Sequence, residues 1–197
     1  MKELKRPKLN FLTQELHNKL HKDIIEFRTV MLLPIGDEST LLDKDDNLHT
    51  SLIVEELMEL ADAKLPIDQL DALVDSVYVC YGRVAQLGYA IPEVEYLVDL
   101  ILTICDKKGF DFVSAWDIVH ASNISKVAEN ESVFEETKQF YAEKGVNVIG
   151  ETLADGRIVV KAKEDTNYTD NGEEKFIRAN KVLKSVNYTP ADLSTLV

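Results

Sequence analysis

Cysteine is scarce in this chain. Cys80 and Cys105 are the only two in 197 residues. Both sit in apolar helical patterns without the close spacing of a metal site, so they read as buried, reduced thiols. Long apolar runs are missing too. No stretch approaches the ~18 residues of a membrane span, and the opening Met1-Lys-Glu-Leu-Lys-Arg-Pro-Lys8 carries charge with no apolar segment behind it. The expectation is a cytoplasmic protein with no membrane partner, whose sequons at Asn167 and Asn187 carry no glycan. Basic residues are outnumbered, Lys+Arg 22 against Asp+Glu 35, for a net charge of −13. A field of that sign disfavours duplex nucleic acid and anionic lipid and favours cations. There is no internal repeat and no low-complexity tract. What remains, with 45% hydrophobic content, suits one domain with a core.

The apolar periodicity predicts a mainly α fold. Leu16, Leu20, Ile24, Phe27 and Met31 step by three or four along a first helix from about Phe11 to Leu33, stopped by Pro34. Residues 36–47 read as loop. Within it Asp43-Lys-Asp45-Asp46-Asn47 resembles the start of a calcium loop, but Leu48 and Val54 stand where the turn glycine and the bidentate glutamate belong, which excludes an EF-hand. A second helix is expected from Thr50 to Lys64, capped by Asn47 or Thr50, and a third from Pro66 to Gly88. A fourth runs from Pro92 to Gly109, apolar around much of its circumference, a fifth from about Asp111 to His120, and a sixth from Ser132 to Lys144. Alternation at Val146, Val148 and Gly150 and at Ile158, Val160 and Ala162, around Asp155-Gly156, predicts one β-hairpin. Residues 164–174 read as polar loop, followed by an extended tail.

The stretch from Ser51 to Gly88 is unusual because its acidic residues lie inside the apolar faces of its two helices. At about 100° per residue, Glu56 projects between Leu52 and Leu60 with Glu59 beside Leu52, and Asp75 falls between Tyr78 and Val79 with Asp71 next to Tyr78. Such carboxylates are expected to be partly buried. Neighbours of like charge on a helix repel by a few tenths of a kcal/mol per pair, and burial of an unpaired ion adds several more. A divalent cation offsets both, and an all-oxygen set suits Mg²⁺ or Mn²⁺. The plainer reading makes Glu55, Glu56 and Glu59 a solvated stripe. Gly82, in the same sector as Asp71 and Asp75, leaves room for a ligand or a close helix crossing.

Four motifs in order carry a resemblance. They are Val54-Glu55-Glu56-Leu57-Met58-Glu59-Leu60; Asp71-Ala-Leu-Val-Asp75-Ser-Val-Tyr78 with Gly82; His120-Ala-Ser-Asn123-Ile-Ser-Lys126; and Lys181-Val-Leu-Lys184-Ser-Val-Asn-Tyr188-Thr-Pro190. Together they resemble the all-α nucleoside triphosphate pyrophosphohydrolases, the MazG-like proteins and their phosphoribosyl-ATP-hydrolysing relatives. The resemblance covers roughly residues 15–126 and the tail from 179. It implies an antiparallel helical bundle around a Mg²⁺ site, and a homo-oligomer, dimer or tetramer, whose subunits complete one another's sites. It also implies Glu56, Glu59 and Asp75 as metal ligands and Glu55 as the residue that orients or deprotonates the attacking water. Asn123, Lys126 and Lys184, with Lys181 competing for the same role, would contact the nucleotide. The family's Glu-x-x-Asp is broken at Ala72, so Asp71 is the substitute ligand and the metal count stays open.

The implied function is Mg²⁺-dependent hydrolysis of a nucleoside triphosphate to the monophosphate and pyrophosphate in a single domain. Its inserted helix and hairpin, about 130–178, have no assigned counterpart. Two rivals stand beside it: phosphoribosyl-ATP hydrolysis, and a non-catalytic acidic helical interaction module. His120, Tyr78 and Trp116 read as structural residues.

Overall fold

The computed structural model describes residues 8–36, 38–170 and 172–197. The charged opening Met1–Pro7, and Asp37 and Asn171 within the two segments read as loops, lie outside the described residues. The protein is mainly helical, 56% in six helices, with two small antiparallel hairpins near the C-terminus. The helices are α1 Gln14–Val30, α2 Asp43–Asp62, α3 Pro66–Leu87, α4 Pro92–Lys108, α5 Phe112–Ile124 and α6 Glu131–Glu143. Two compact units form: a first of residues 8–28, 34–119 and 192–197, and a second of residues 29–33 and 120–191.

In the first unit α3 is the central element. Pro66 occupies the start of the helix, where no N–H is needed, and Gly88 ends it with φ 79, its N–H donating to Val84 O. Leu70, Leu73, Val74, Val77 and Tyr81 of α3 are buried with Leu20 and Ile24 of α1, Val98 and Leu102 of α4, and Trp116 of α5. The Tyr78 ring lies 5.1 Å from that of Trp116 and 5.3 Å from that of Phe27. The indole N–H of Trp116 donates to Asp23 Oδ2 at 2.8 Å, which satisfies the one polar atom of a fully buried ring. Asp99 of α4 accepts the backbone N–H groups of Asn10, Phe11 and Leu12 at 2.7–3.0 Å and so ties down the approach to α1. Cys80 and Cys105 are free and buried, and burial pushes both thiols up to about 11.

Three expectations about this unit change. Helix two begins at Asp43, not at Thr50, and the residue before it, Leu42, makes no side-chain cap, so neither Asn47 nor Thr50 has that role. Asp43, Asp45 and Asp46 occupy its first turn, where carboxylates complement the positive end of the helix dipole. That is why an acidic run resembling a loop is helical. The first helix stops at Val30, ahead of Pro34, with Leu32 at φ 56. The face of α2 carrying Leu57 is also less covered than its periodicity suggests, since Leu57 is 40% exposed.

In the second unit Asn130 caps α6 by accepting from Val133 N, and α6 packs on β1, Val148–Thr152, and β2, Ile158–Ala162. Gly150 pairs with Val160, and a Cβ at position 150 would lie 2.7 Å from the Phe134 ring, so helix and strand approach only because that side chain is absent. Tyr141, Val146, Ile158, Val160, Ala162, Ile177 and Leu183 form the core. The extended tail lies along β2, with Leu183 N donating to Val160 O at 2.8 Å. The segment read as polar loop is instead a second hairpin, β3 Thr166–Asp170 with β4 Glu173–Ile177. Its strands are mostly polar, so hydrophobic alternation is weak, and the turn chemistry of Asn171-Gly172 was the usable signal. Among the described residues no helix is long and apolar enough to cross a membrane.

Candidate functional site

The link at residues 63–65 is too short for anything but an antiparallel pairing of α2 and α3. At the linked end an open groove of about 610 Å³ is lined by Glu55, Met58, Glu59, Asp62 and Ala63 from α2 and by Asp68 and Asp71 from α3. Glu56 and Asp75 are half-buried, whereas Glu55, Glu59 and Asp71 are exposed. The expectation of partial burial therefore fails for Glu59 and Asp71, because the side of α2 that carries Glu59 is not covered by another element of the unit.

Glu56 carries the strongest electrostatic signature here. Burial first, and then the charges of Asp75, Glu59, Asp71 and Glu55, push its carboxyl up to about 7. The carboxylates of the two helices thus act on one another. They are gathered but not closed. No three of them present ligand oxygens within 4.8 Å of one another, so a shared cation requires side-chain rotation. Ala72 is buried, 3% exposed, and its neighbour Asp71 lines the groove. Position 72 faces the core, and Asp71 supplies the carboxylate on the open side.

The donor set fits a hard divalent cation. It is all carboxylate oxygen, it combines half-buried and solvent-facing groups, and its mutual repulsion is what a bound cation relieves.

The second unit brings together the third and fourth motifs, which lie some sixty residues apart. Ser122 Oγ donates to Tyr188 OH at 3.0 Å, Thr189 N donates to Ser125 Oγ at 3.0 Å, and Ser185 N donates to Lys126 O at 3.0 Å. Lys126 Nζ donates to Asn123 Oδ1 at 2.6 Å, and both residues are half-buried. Lys184 is exposed, with Nζ 4.4 Å from the centre of the Tyr188 ring. Lys181 is exposed as well, and its carbonyl accepts from Ala162 N in the tail's pairing with β2. Of the two lysines only Lys184 is held by an aromatic partner. The carboxylates belong to the first unit and these nitrogen-bearing groups to the second.

Sequence reasoning missed a buried polar network at the other end of the α2–α3 pair. Arg28, 5% exposed, donates through Nε to Pro34 O at 2.7 Å and through Nη2 to Gln86 Oε1 at 3.0 Å. His49 Nε2 meets the same Gln86 Oε1 at 2.8 Å, and Arg83 pairs with Asp46. No local pattern in the sequence signals it, since Arg28 and His49 lie 58 and 37 positions from Gln86. Compared with known proteins, the chain matches no family model, no curated protein and no solved structure.

Proposed function

We propose that the chain is a Mg²⁺-dependent nucleoside triphosphate pyrophosphohydrolase, with Mn²⁺ as a possible substitute. The observation that carries the reading is Glu56, held near neutrality by burial and by four carboxylates on its own and the facing helix. A folded protein that concentrates negative charge in this way gains stability from a cation. The four-motif resemblance supplies the reaction class.

Glu56, Glu59 and Asp75 are the proposed ligands, with Asp71 the further carboxylate from the groove. Glu55, exposed on the groove wall, orients the attacking water and accepts its proton. When bound, the divalent cation neutralises charge on the triphosphate and on the attacking and leaving oxygens. Asn123, Lys126 and Lys184 are the proposed nucleotide contacts of the second unit. Lys184, braced on Tyr188, is preferred over Lys181. Water attacks the α-phosphorus, the bond from it to the bridging oxygen breaks, and pyrophosphate leaves.

A second copy of the chain is the proposed partner. Val54, Leu57 and Met58 of α2 are 47%, 40% and 61% exposed beside the acidic groove, a row of apolar side chains that an oligomer contact would cover.

The test is pyrophosphate release with Mg²⁺ over a panel of canonical and modified nucleoside triphosphates together with phosphoribosyl-ATP. Turnover of a triphosphate that is abolished by Glu56→Gln supports the reading. Exclusive turnover of phosphoribosyl-ATP selects that relative. No turnover, with divalent binding unchanged in Glu56→Gln, overturns the enzyme and leaves an acidic interaction module.

A further inference from the structure

Among the described residues Arg28 is a buried cation without a counter-charge. Its two hydrogen-bond acceptors, Pro34 O and Gln86 Oε1, are neutral, and it makes no ion pair among the described residues. Burial alone pulls its guanidinium down to about 10. An isolated buried charge of this kind costs several kcal/mol unless something satisfies it.

The groups around it lie within electrostatic reach of one another: burial first, and then the charges of Arg28 and Arg83, hold the His49 pKa below its ordinary value against the Gln86 hydrogen bond and the charge of Asp45. Gln86 Oε1 accepts from Arg28 Nη2, which fixes the orientation of the amide, so His49 Nε2 is the donor in its own contact with that oxygen. The neutral ring then keeps a lone pair on Nδ1, and this atom, in a side chain only 6% exposed, has no partner. Arg83, one turn before Gln86 on α3, has Nε buried and unpartnered while its Nη2 is engaged by Asp46. Gly82 precedes Arg83 on α3. A Cβ there would make one ordinary contact, with Arg28 Nη1 at 3.8 Å, so no side chain at position 82 stands between the helix and the guanidinium.

We propose that Arg28, His49 and Arg83, around the bare helix surface at Gly82, form a binding site for a phosphate-type oxyanion. The chemistry selects that class. Guanidinium nitrogens ask for anionic oxygens, and a lone pair on His49 Nδ1 asks for a hydroxyl donor. A hydrogen phosphate group offers both at once, whereas sulfate at neutral pH offers only acceptors. The site lies two helical turns, roughly 10 Å, from the carboxylates along both α2 and α3. The anion site stands on its own geometry; that its ligand is a phosphate of the substrate or the released pyrophosphate rests on the proposed hydrolase function.

The experiment uses the full chain, without divalent metal and at fixed ionic strength, and titrates inorganic phosphate and sulfate by calorimetry and by thermal unfolding. Phosphate is expected to bind and to raise the unfolding temperature, with sulfate at least about tenfold weaker. Gly82→Ala replaces a helix glycine by a better helix former whose methyl makes only an ordinary contact, so it folds. Its methyl covers Nη1 and should weaken phosphate binding by about tenfold. Arg83→Gln removes a donor at the half-exposed end and acts in the same direction. Absence of phosphate binding, equal binding of sulfate, or binding unchanged in both variants overturns the site. Nucleotide turnover is a separate readout: phosphate binding that depends on Gly82 and Arg83 in a chain that hydrolyses nothing keeps this site and removes the proposed function.

Discussion

Asp99 and Glu56 are carboxylates of the same unit with opposite fates. Asp99 is buried, 7% exposed, and burial alone would raise its pKa. The three backbone N–H groups of Leu12, Asn10 and Phe11 outweigh that and hold it below the ordinary carboxylate range. Glu56 is half-buried and has no comparable donors; its environment is other carboxylates, and it rises to about 7. A buried acid satisfied by its own chain is architecture. One surrounded by like charges is a site whose counter-charge comes from outside.

Breaking the satisfied case should cost most. Asp99→Ala leaves three amide donors without their acceptor, and urea denaturation should report a loss of about 2–3 kcal/mol. The contrast sharpens with pH. Stability contributed by Asp99 is present above the ordinary aspartate pKa and is lost as pH falls through its lowered folded value. Glu56 runs the other way: its folded form binds the proton more tightly than its unfolded form, so in chelator its contribution falls as pH rises from about 4.5 to about 7. Glu56→Gln should therefore stabilise the metal-free chain at pH 8 by on the order of 1 kcal/mol, once solvent screening of a half-buried group is allowed for. Chemical unfolding at pH 5 and pH 8 checks the sign for Glu56, and unfolding at pH 5 and about pH 3 checks the opposite sign for Asp99. A Glu56→Gln chain less stable than the parent at pH 8 would remove the electrostatic argument.

The smallest intrinsic effect is expected on the exposed side of α2. Met58→Ser touches a side chain 61% exposed, and its cost within one chain should be within about 0.5 kcal/mol. If a second copy covers that surface, sedimentation at micromolar concentration should show a shift toward monomer far larger than the change in unfolding. A monomeric parent chain, with Met58→Ser indistinguishable from it, would contradict the self-association reading.

These contrasts also explain what the sequence could and could not disclose. Helices with strong local punctuation were legible: Pro66 and Gly88 bracket α3 as read, and Pro92 and Gly109 bracket α4. The start of α2 was not, because Asp43-Lys-Asp45-Asp46-Asn47 has loop composition, and its helicity comes from the dipole and from Arg83 on a different helix. The second hairpin escaped because mostly polar strands leave no period to detect. At the candidate site, the wheel placed Glu56 and Asp75 on the half-buried side, but it gave no sign that Glu59 and Asp71 would face open solvent, since that depends on what fails to cover them. The Arg28, His49 and Gln86 network was illegible for a related reason: Arg28 and Gln86 are 58 positions apart, and no local pattern links residues that only the tertiary fold brings together.

The most direct measurement is calorimetric titration of Mn²⁺ into the chelator-treated chain and into Glu56→Gln. Saturable binding in the parent, weakened at least about tenfold in the variant and accompanied by proton release near neutral pH, is the predicted result. Binding that is absent, or equal in the two proteins, would contradict the assignment of the α2–α3 carboxylates as a metal centre.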